Sequence, residues 1–468
     1  MPNSMSILPH SKFLIAALSS LALIGISAAT SQTHNESIEF PSIRNDSTLR
    51  IETVSSGQFK FPTSMAFLGS DDILVLEKNE GTVRRIVNGT VINEPLLDVN
   101  VATKNERGLL GIAVATNNTL DPNYEEHNKT KSAKSTFVFL YFTEVKGKDG
   151  DDVTNGTLPL GNRLYRYEMS DDKLVNPKLL LEIPAKSHES QSGAHNGGKV
   201  IIGPDNRIYL VVGDMMKSGY KTQNYNDGKA PDGSSGILRI NQDGKEVEMI
   251  LGNDEIGKYF AYGIRNSFGI AFDPVTGNLW DTENGPDYGD EINLVKPGFN
   301  SGWQKVQGFW APKNETAGNV FQEVEELVYF NGKGEYSSPE FVSYTIGLTD
   351  LAFLNSDKLG KKYENDMFVG DFHNDTLYHF DLSKNRMNFS FTKPLDDKIA
   401  NGYSELEQVI FAQGFGGITD VEMGPDGYLY VLATDFGGGD CIPKFPNDRC
   451  IPYSGKNMGS IFRVVPSK

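Results

Sequence analysis

Beyond its N-terminus the sequence has no apolar run near the roughly 20 residues that a membrane-crossing helix needs, so no membrane span is expected in the mature chain. Basic tracts are missing too. Lys and Arg number 44 against 61 Asp and Glu, a formal charge of −17, which excludes nucleic acid and anionic membrane surfaces as partners. No convincing stretch repeats its apolar residues at helical spacing. Cysteine is nearly absent: Cys441 and Cys450 stand alone, in "DCIPKFPNDRC". Glycine, by contrast, is abundant, with 48 residues beside 22 prolines. In a 468-residue chain that is 38% hydrophobic, so many turn residues predict one large all-β unit of short strands.

The exception at the N-terminus is "FLIAALSSLALIGI", Phe13 to Ile26, preceded by His10 and Lys12 and followed by the small residues Ser27 to Ala29. It is short for a span and reads as a signal peptide over 1–29, with an uncleaved anchor as the other reading. Residues 30–50 are polar and read as a linker, leaving 51–468 for the folded unit. In an exported protein the cysteine pair suggests a disulfide closing a small loop; two free thiols are the alternative. Nine Asn-x-Ser/Thr triplets, at Asn35, Asn45, Asn88, Asn117, Asn128, Asn155, Asn314, Asn374 and Asn388, fit a secreted or extracellular glycoprotein, free or associated with the cell surface.

One pattern recurs along the folded unit. An apolar strand runs into Gly-Pro-Asp-Gly or a variant, then into a second strand rich in Tyr, Leu, Val and Trp. The copies are "VIIGPDNRIYLVVGD" at 200–214, "IAFDPVTGNLWDTENG" at 270–285 and "VEMGPDGYLYVLATD" at 421–435. Looser copies begin at Met65, Leu351 and, with a long insertion, Leu109. Asp-Gly and Asp-Asn supply tight turns, and the flanking residues alternate at period two, so each copy is a hairpin. Six copies at this spacing predict a six-bladed β-propeller with four antiparallel strands per blade, an array of β-sandwiches being the alternative. "GSIFRVVP" at 459–466 is expected to supply a strand that closes the ring.

Three motifs stand in order: "ERGLLGIA" at 106–113, "AHNGGKVIIGPDNRIYLVVGD" at 194–214 and "YGIRNSFGIAFDPVTGNLWDTENGPDYGDEINLVKPGFNSGW" at 262–303. Together they resemble the glucose/sorbosone dehydrogenase family, over about residues 50 to 466. Those are soluble aldose dehydrogenases on a six-bladed propeller that depend on pyrroloquinoline quinone (PQQ). The resemblance implies a calcium- and PQQ-dependent oxidoreductase acting on a sugar and passing electrons to an external acceptor. It gives His195 the part of general base, which an imidazole near neutral pKa suits, and Asp214 that of its acidic partner. Arg265 and Asn266 match the pair that contacts the quinone carbonyls, where a guanidinium stabilises developing negative charge. Thr345 matches a further cofactor contact, and His373 stands where the family has a cofactor-binding lysine. Glu106 falls at the sugar-contacting position.

For metal, the resemblance assigns the carbonyls of Gly285 and Pro286 to a cofactor-bound calcium, and Glu291 with the carbonyl of Ser301 to a structural one. Hard cations take such oxygen donors. The sequence also departs from the family. Phe268 stands in place of a glutamine. The R-x-R pair that grips the quinone carboxylates is replaced by Gly417-Ile418-Thr419. Charge-assisted contacts of that kind are strong. Two other classes of function therefore stay open: an extracellular binding module for glycans or proteins, and a calcium-dependent hydrolase of the lactonase type.

Overall fold

The computed structural model describes residues 41–116, 135–147, 159–185, 193–216, 222–225, 231–245, 247–252, 255–286, 288–309, 327–435 and 458–467. Each recurring pattern in the sequence is a hairpin there, and each hairpin founds a sheet. In chain order the hairpins are Pro62–Gly69 with Asp72–Glu77, Leu109–Thr116 with Thr136–Val145, Val200–Ile202 with Ile208–Val212, Gly269–Phe272 with Leu279–Glu283, Leu348–Phe353 with Met367–Asp371, and Gly417–Met423 with Leu429–Thr434. The described strands fall into six sheets. The first strand of each hairpin touches that of the next sheet, and the last touches the first, so the ring closes. The protein is an all-β propeller. Among the described residues, no helix is long and apolar enough to cross a membrane.

Stacking around a ring buries both faces of a strand. In Ile208–Val212 every residue is buried. Ile208, Leu210 and Val212 pack with Phe137, Phe139 and Tyr141 of the second sheet, while Tyr209 and Val211 pack with Ile270, Leu279 and Val295 of the fourth. Each such side chain contributes roughly 1.5–3 kcal/mol by leaving water. This explains why the second strands read as near-continuous apolar runs rather than strict alternation.

Two expectations need correction. The blades do not all hold four antiparallel strands. In the third sheet, Phe299–Asn300 pairs in parallel with Tyr259–Tyr262, and Glu335–Tyr336 follows. In the fourth, Ile399–Ala400 adds in parallel to Phe341–Tyr344. Long connections return along the outer edges and satisfy backbone groups that an edge leaves unpaired. The stretch 30–50 is not a linker throughout. Ser42–Ile43 pairs with Gln413 and Ala412 of the fifth sheet, and Leu49 opens the strand Leu49–Lys60. That strand pairs with Met458–Pro466, so both ends of the folded chain complete the sixth sheet. Of the nine triplets, the one at Asn374 is buried, and both its backbone and side-chain N–H groups donate to Asp371. Residues 1–40, Cys441 and Cys450 lie outside the described residues.

Candidate active site

All six first strands begin at one end of the ring, and the second strands finish there. The backbone just before the former and just after the latter surrounds a cavity of about 610 Å³. Every sheet contributes: Phe61 and Lys78 from the first, Glu106 from the second, His195 from the third, Arg265, Asn266 and Gly285 from the fourth, Thr345 and His373 from the fifth, Thr419 from the sixth. The predicted residues from distant parts of the chain thus meet in one place. Asp214 stands behind His195 rather than at the cavity surface, and Pro286 is not part of the lining.

His195 sits in a backbone that is strained on purpose-built supports. Its φ is +59°, and those of Met215 and Met216 are +57° and +53°. Non-glycine residues in that region cost of order 1–3 kcal/mol and persist where the surroundings over-determine them. Here Met215 N–H donates to the His195 carbonyl at 3.2 Å. Next in the turn, Gly197 has φ +60°, and a Cβ on it would come 2.7 Å from the Val211 carbonyl oxygen, so only glycine fits. His195 Nδ1 lies 2.6 Å from Asp214 Oδ1. With the carboxylate ionised, Nδ1 carries the proton and Nε2 is left as the acceptor.

Asp214 is itself fixed from two more directions. Met216 N–H donates to Oδ1 at 2.8 Å, and Trp303 Nε1 donates to Oδ2 at 2.7 Å. The Trp303 ring also lies under the Arg265 guanidinium, 5.3 Å from ring centroid to Cζ. One tryptophan therefore orients both the partner of the histidine and the neighbouring cation. Sequence reasoning gave it no role, although it is one of only three tryptophans and ends the strongest motif. Trp303→Phe keeps the ring and removes the N–H. We expect it to lower stability by about 1.5–3 kcal/mol, the worth of a hydrogen bond to a charged group, measured by chemical denaturation; a loss under about 0.5 kcal/mol would show that Asp214 does not depend on it.

Arg265 is held by its backbone N–H to Glu283 Oε1 and by Nη1 to the Asn284 carbonyl, both at 2.7 Å. Burial pulls its pKa down, against the attraction of Asp214, Asp290, Glu283 and Glu106. Burial likewise pushes the Glu106 carboxyl up, against the pull of His195 and the Asn196 N–H, which donates to it at 3.1 Å. The Gly285 turn is pinned by Asp290, whose Oδ1 accepts from Gly285 N–H while Oδ2 accepts from the N–H groups of Ile346 and Gly347.

Behind this turn lies a buried acidic patch. Glu283 pairs with Glu291, and Asp281 with Asn293, on adjacent strands, so all four share one face. Burial, followed by mutual repulsion, raises Asp281 and Glu291 well above the usual carboxylate range; Glu283 is pushed up to about 7, by burial first. Both oxygens of Asp281, with Asn293 Oδ1 and Gln307 Oε1, are buried and meet no well-formed hydrogen bond among the described residues. Ser301 adjoins through its hydroxyl, which donates to Glu283. Several buried oxygens short of donors are what a hard cation needs.

The fifth and sixth sheets line the cavity with Leu348 and Phe372 beside His373 and Thr419. A Cβ at Gly417 would come 2.9 Å from the Phe372 ring, so an arginine could not stand there unless the ring moved. Thr419 donates its hydroxyl to the Leu432 carbonyl at 3.3 Å. Below, Lys199 closes the floor with Asp350 and Asp420 at 2.6 Å and Glu422 at 2.7 Å. Asp420 Oδ2 accepts from Met65 N–H at 2.6 Å and Ser64 Oγ at 3.2 Å.

Residues 59–441 match the model of the glucose/sorbosone dehydrogenase family. The aldose sugar dehydrogenase YliI of Escherichia coli (strain K12) is 27% identical over 421 residues, covering 86% of this chain and 94% of that one. The solved apo form of the soluble aldose sugar dehydrogenase of Escherichia coli superposes with a TM-score of 0.59 at 21% identity, covering 90% of this chain and 100% of that one. The PQQ-bound aldose sugar dehydrogenase of Streptomyces coelicolor gives 0.56 at 20% identity, over 91% and 100%. The two structures speak for the fold.

Proposed function

The chain belongs to the glucose/sorbosone dehydrogenase family, and from that membership we propose that it is a calcium- and PQQ-dependent enzyme that oxidises the C1 hydroxyl of an aldose. The observation that carries this reading is the convergence of the His195–Asp214 pair, Arg265 and Asn266 on one cavity. The residues suit a quinone at its oxidising end. Among the described residues, Arg265 Nε and Thr345 Oγ1 are buried at the cavity without a hydrogen-bond partner, two donors for a flat, oxygen-rich group. Arg265, Asn266, Thr345 and His373 would hold it, and Gly285, which lines the cavity where Pro286 does not, would offer its carbonyl to a calcium ion.

When bound, the quinone supplies a two-electron acceptor for the hydride that leaves C1. His195 Nε2 takes the proton of the C1 hydroxyl, so that hydride and proton depart together and the ring sugar becomes a lactone. Asp214 stabilises the imidazolium that forms, and Arg265 stabilises negative charge on the accepting side. Glu106 and the Asn196 amide behind it position a sugar hydroxyl. The electrons then pass to an external acceptor. We further propose that the protein is exported, on the strength of the Phe13–Ile26 run and the exposed sequons at Asn45 and Asn88.

The acidic patch suits a second, structural calcium. Asp281, Glu283, Glu291 and Ser301 would provide its oxygens. Chelation should lower the thermal midpoint, because an ion bound only by the folded state stabilises it by mass action. Glu291→Gln should shrink the difference between loaded and stripped protein; equal midpoints, with no calcium found by metal analysis, would sink this assignment.

Gly417 and Thr419 favour a second reading, a binding module without the quinone. A hydrolase fits less well, since the acidic cluster at the cavity floor is closed by Lys199. Gel filtration of the protein mixed with calcium and PQQ separates the first two. Quinone absorbance should elute with the protein at about one equivalent; elution of all quinone with the small molecules would leave the binding module.

A further inference from the structure

Two lysines line the cavity, in opposite circumstances. The Lys199 ammonium meets three carboxylates at 2.6–2.7 Å. Lys78 is as deeply buried, 5% exposed, yet among the described residues no carboxylate lies at ion-pair distance from it. Its ammonium donates to Asn79 Oδ1 at 2.9 Å and lies 4.9 Å from the centre of the Phe61 ring. An ammonium has three N–H donors, and one is used. Glu106 acts on it only through space, and burial pulls it down to about 8. Buried lysines are nearly always paired, because an uncompensated charge in the interior is costly.

Lys78 cannot easily withdraw. It follows the strand Asp72–Glu77, its N–H donates to the Phe61 carbonyl at 3.1 Å, and its carbonyl accepts from Leu109 N–H at 2.9 Å. Its backbone is thus fixed at the junction of the first and second sheets, and the residue lines the cavity beside Phe61. Meanwhile the wall where the family's arginines stand carries none, at Gly417 and Thr419. Burial pushes the Glu106 carboxyl up, against the pull of His195 and the Asn196 N–H.

We propose that Lys78 is the anion-binding residue of this cavity and donates to a carboxylate of the ligand. The identity of that ligand rests on the dehydrogenase reading. A carboxylate can come from the quinone cofactor, in place of contacts with the missing arginines, or from a uronic-acid sugar.

The test compares wild type, Lys78→Met and Lys78→Arg, each checked for folding by its thermal midpoint. Quinone affinity is read from its absorbance in the presence of calcium. Sugar affinity is read by calorimetry on the quinone-free protein, with glucuronate, its neutral amide and glucose. We expect Lys78→Met to weaken one anion at least tenfold and Lys78→Arg to restore it. Loss confined to the quinone assigns the cofactor carboxylate; loss confined to glucuronate, with no change for the amide, assigns the sugar. Above pH 8 the wild type should also take up protons on binding, and Lys78→Arg should not. Unchanged quinone affinity in folded Lys78→Met, with glucuronate no tighter than its amide in wild type, overturns the proposal and leaves the dehydrogenase reading standing. Glucuronate bound in preference to its amide by a protein that binds no quinone does the reverse. Binding of neither removes both.

Discussion

His195→Gln should bind calcium and quinone as the wild type does and turn over about two to four orders of magnitude more slowly, the usual weight of general acid–base catalysis. Glutamine still offers a donor to Asp214, and the loop keeps its other ties, Met215 N–H to the residue-195 carbonyl and Met216 N–H to Asp214. Folding and ligand retention are therefore expected to survive. What disappears is Nε2, the only nitrogen of the 195–214 pair left to accept a proton. The measurement is steady-state turnover at saturating sugar with quinone content determined on the same sample. A variant as fast as wild type would take His195 out of the proton's path.

Lys199→Met should cost the fold about 3–5 kcal/mol, the penalty for removing one partner from a buried ion pair. The three carboxylates it meets belong to first strands of the fifth and sixth sheets, and Asp420 is tied in turn to Ser64 and Met65 of the first. Lys199 itself precedes the first strand of the third. One ammonium thus joins four of the sheets across the floor of the cavity. Without it, three acids confront each other in the interior. The check is the free energy of unfolding in denaturant, with Lys199→Arg as a control that keeps the charge. A loss below about 1 kcal/mol would mean that the floor is not held by this cation.

Most of the architecture was legible because its signals are local. Pro-Asp-Gly and its variants mark the turn of each inner hairpin, and the apolar runs beside them mark strands that are buried on both faces. The added edge strands were not legible. Phe299–Asn300 and Ile399–Ala400 are two residues long, too short to show a period, and Ser42–Ile43 is placed by a partner some 370 residues away. The site divides in the same way. His195, Asp214, Arg265 and Asn266 lie in motifs that can be read in order along the chain. Trp303, Lys199 and Asp281 stand in the same motifs and Lys78 outside them, but the parts these four play cannot be read there. Trp303 meets Asp214 across 89 residues, and Lys199 meets its carboxylates across 151 to 223. Asp281 matters only because the sheet sets it beside Glu283 and Asn293, where its own two oxygens meet no well-formed hydrogen bond among the described residues. Such roles come from the ring's closure, which no local spacing records.

The central claim is that this cavity oxidises a sugar at C1 with His195 as base. It is tested most directly by loading the protein with calcium and PQQ, offering a panel of aldoses with an artificial electron-accepting dye, and repeating the best of them deuterated at C1. The account predicts dye reduction that requires the quinone, yields the lactone, slows with the deuterated sugar and falls by about two to four orders of magnitude in His195→Gln. Quinone bound at one equivalent with no dye reduced by any aldose would contradict it.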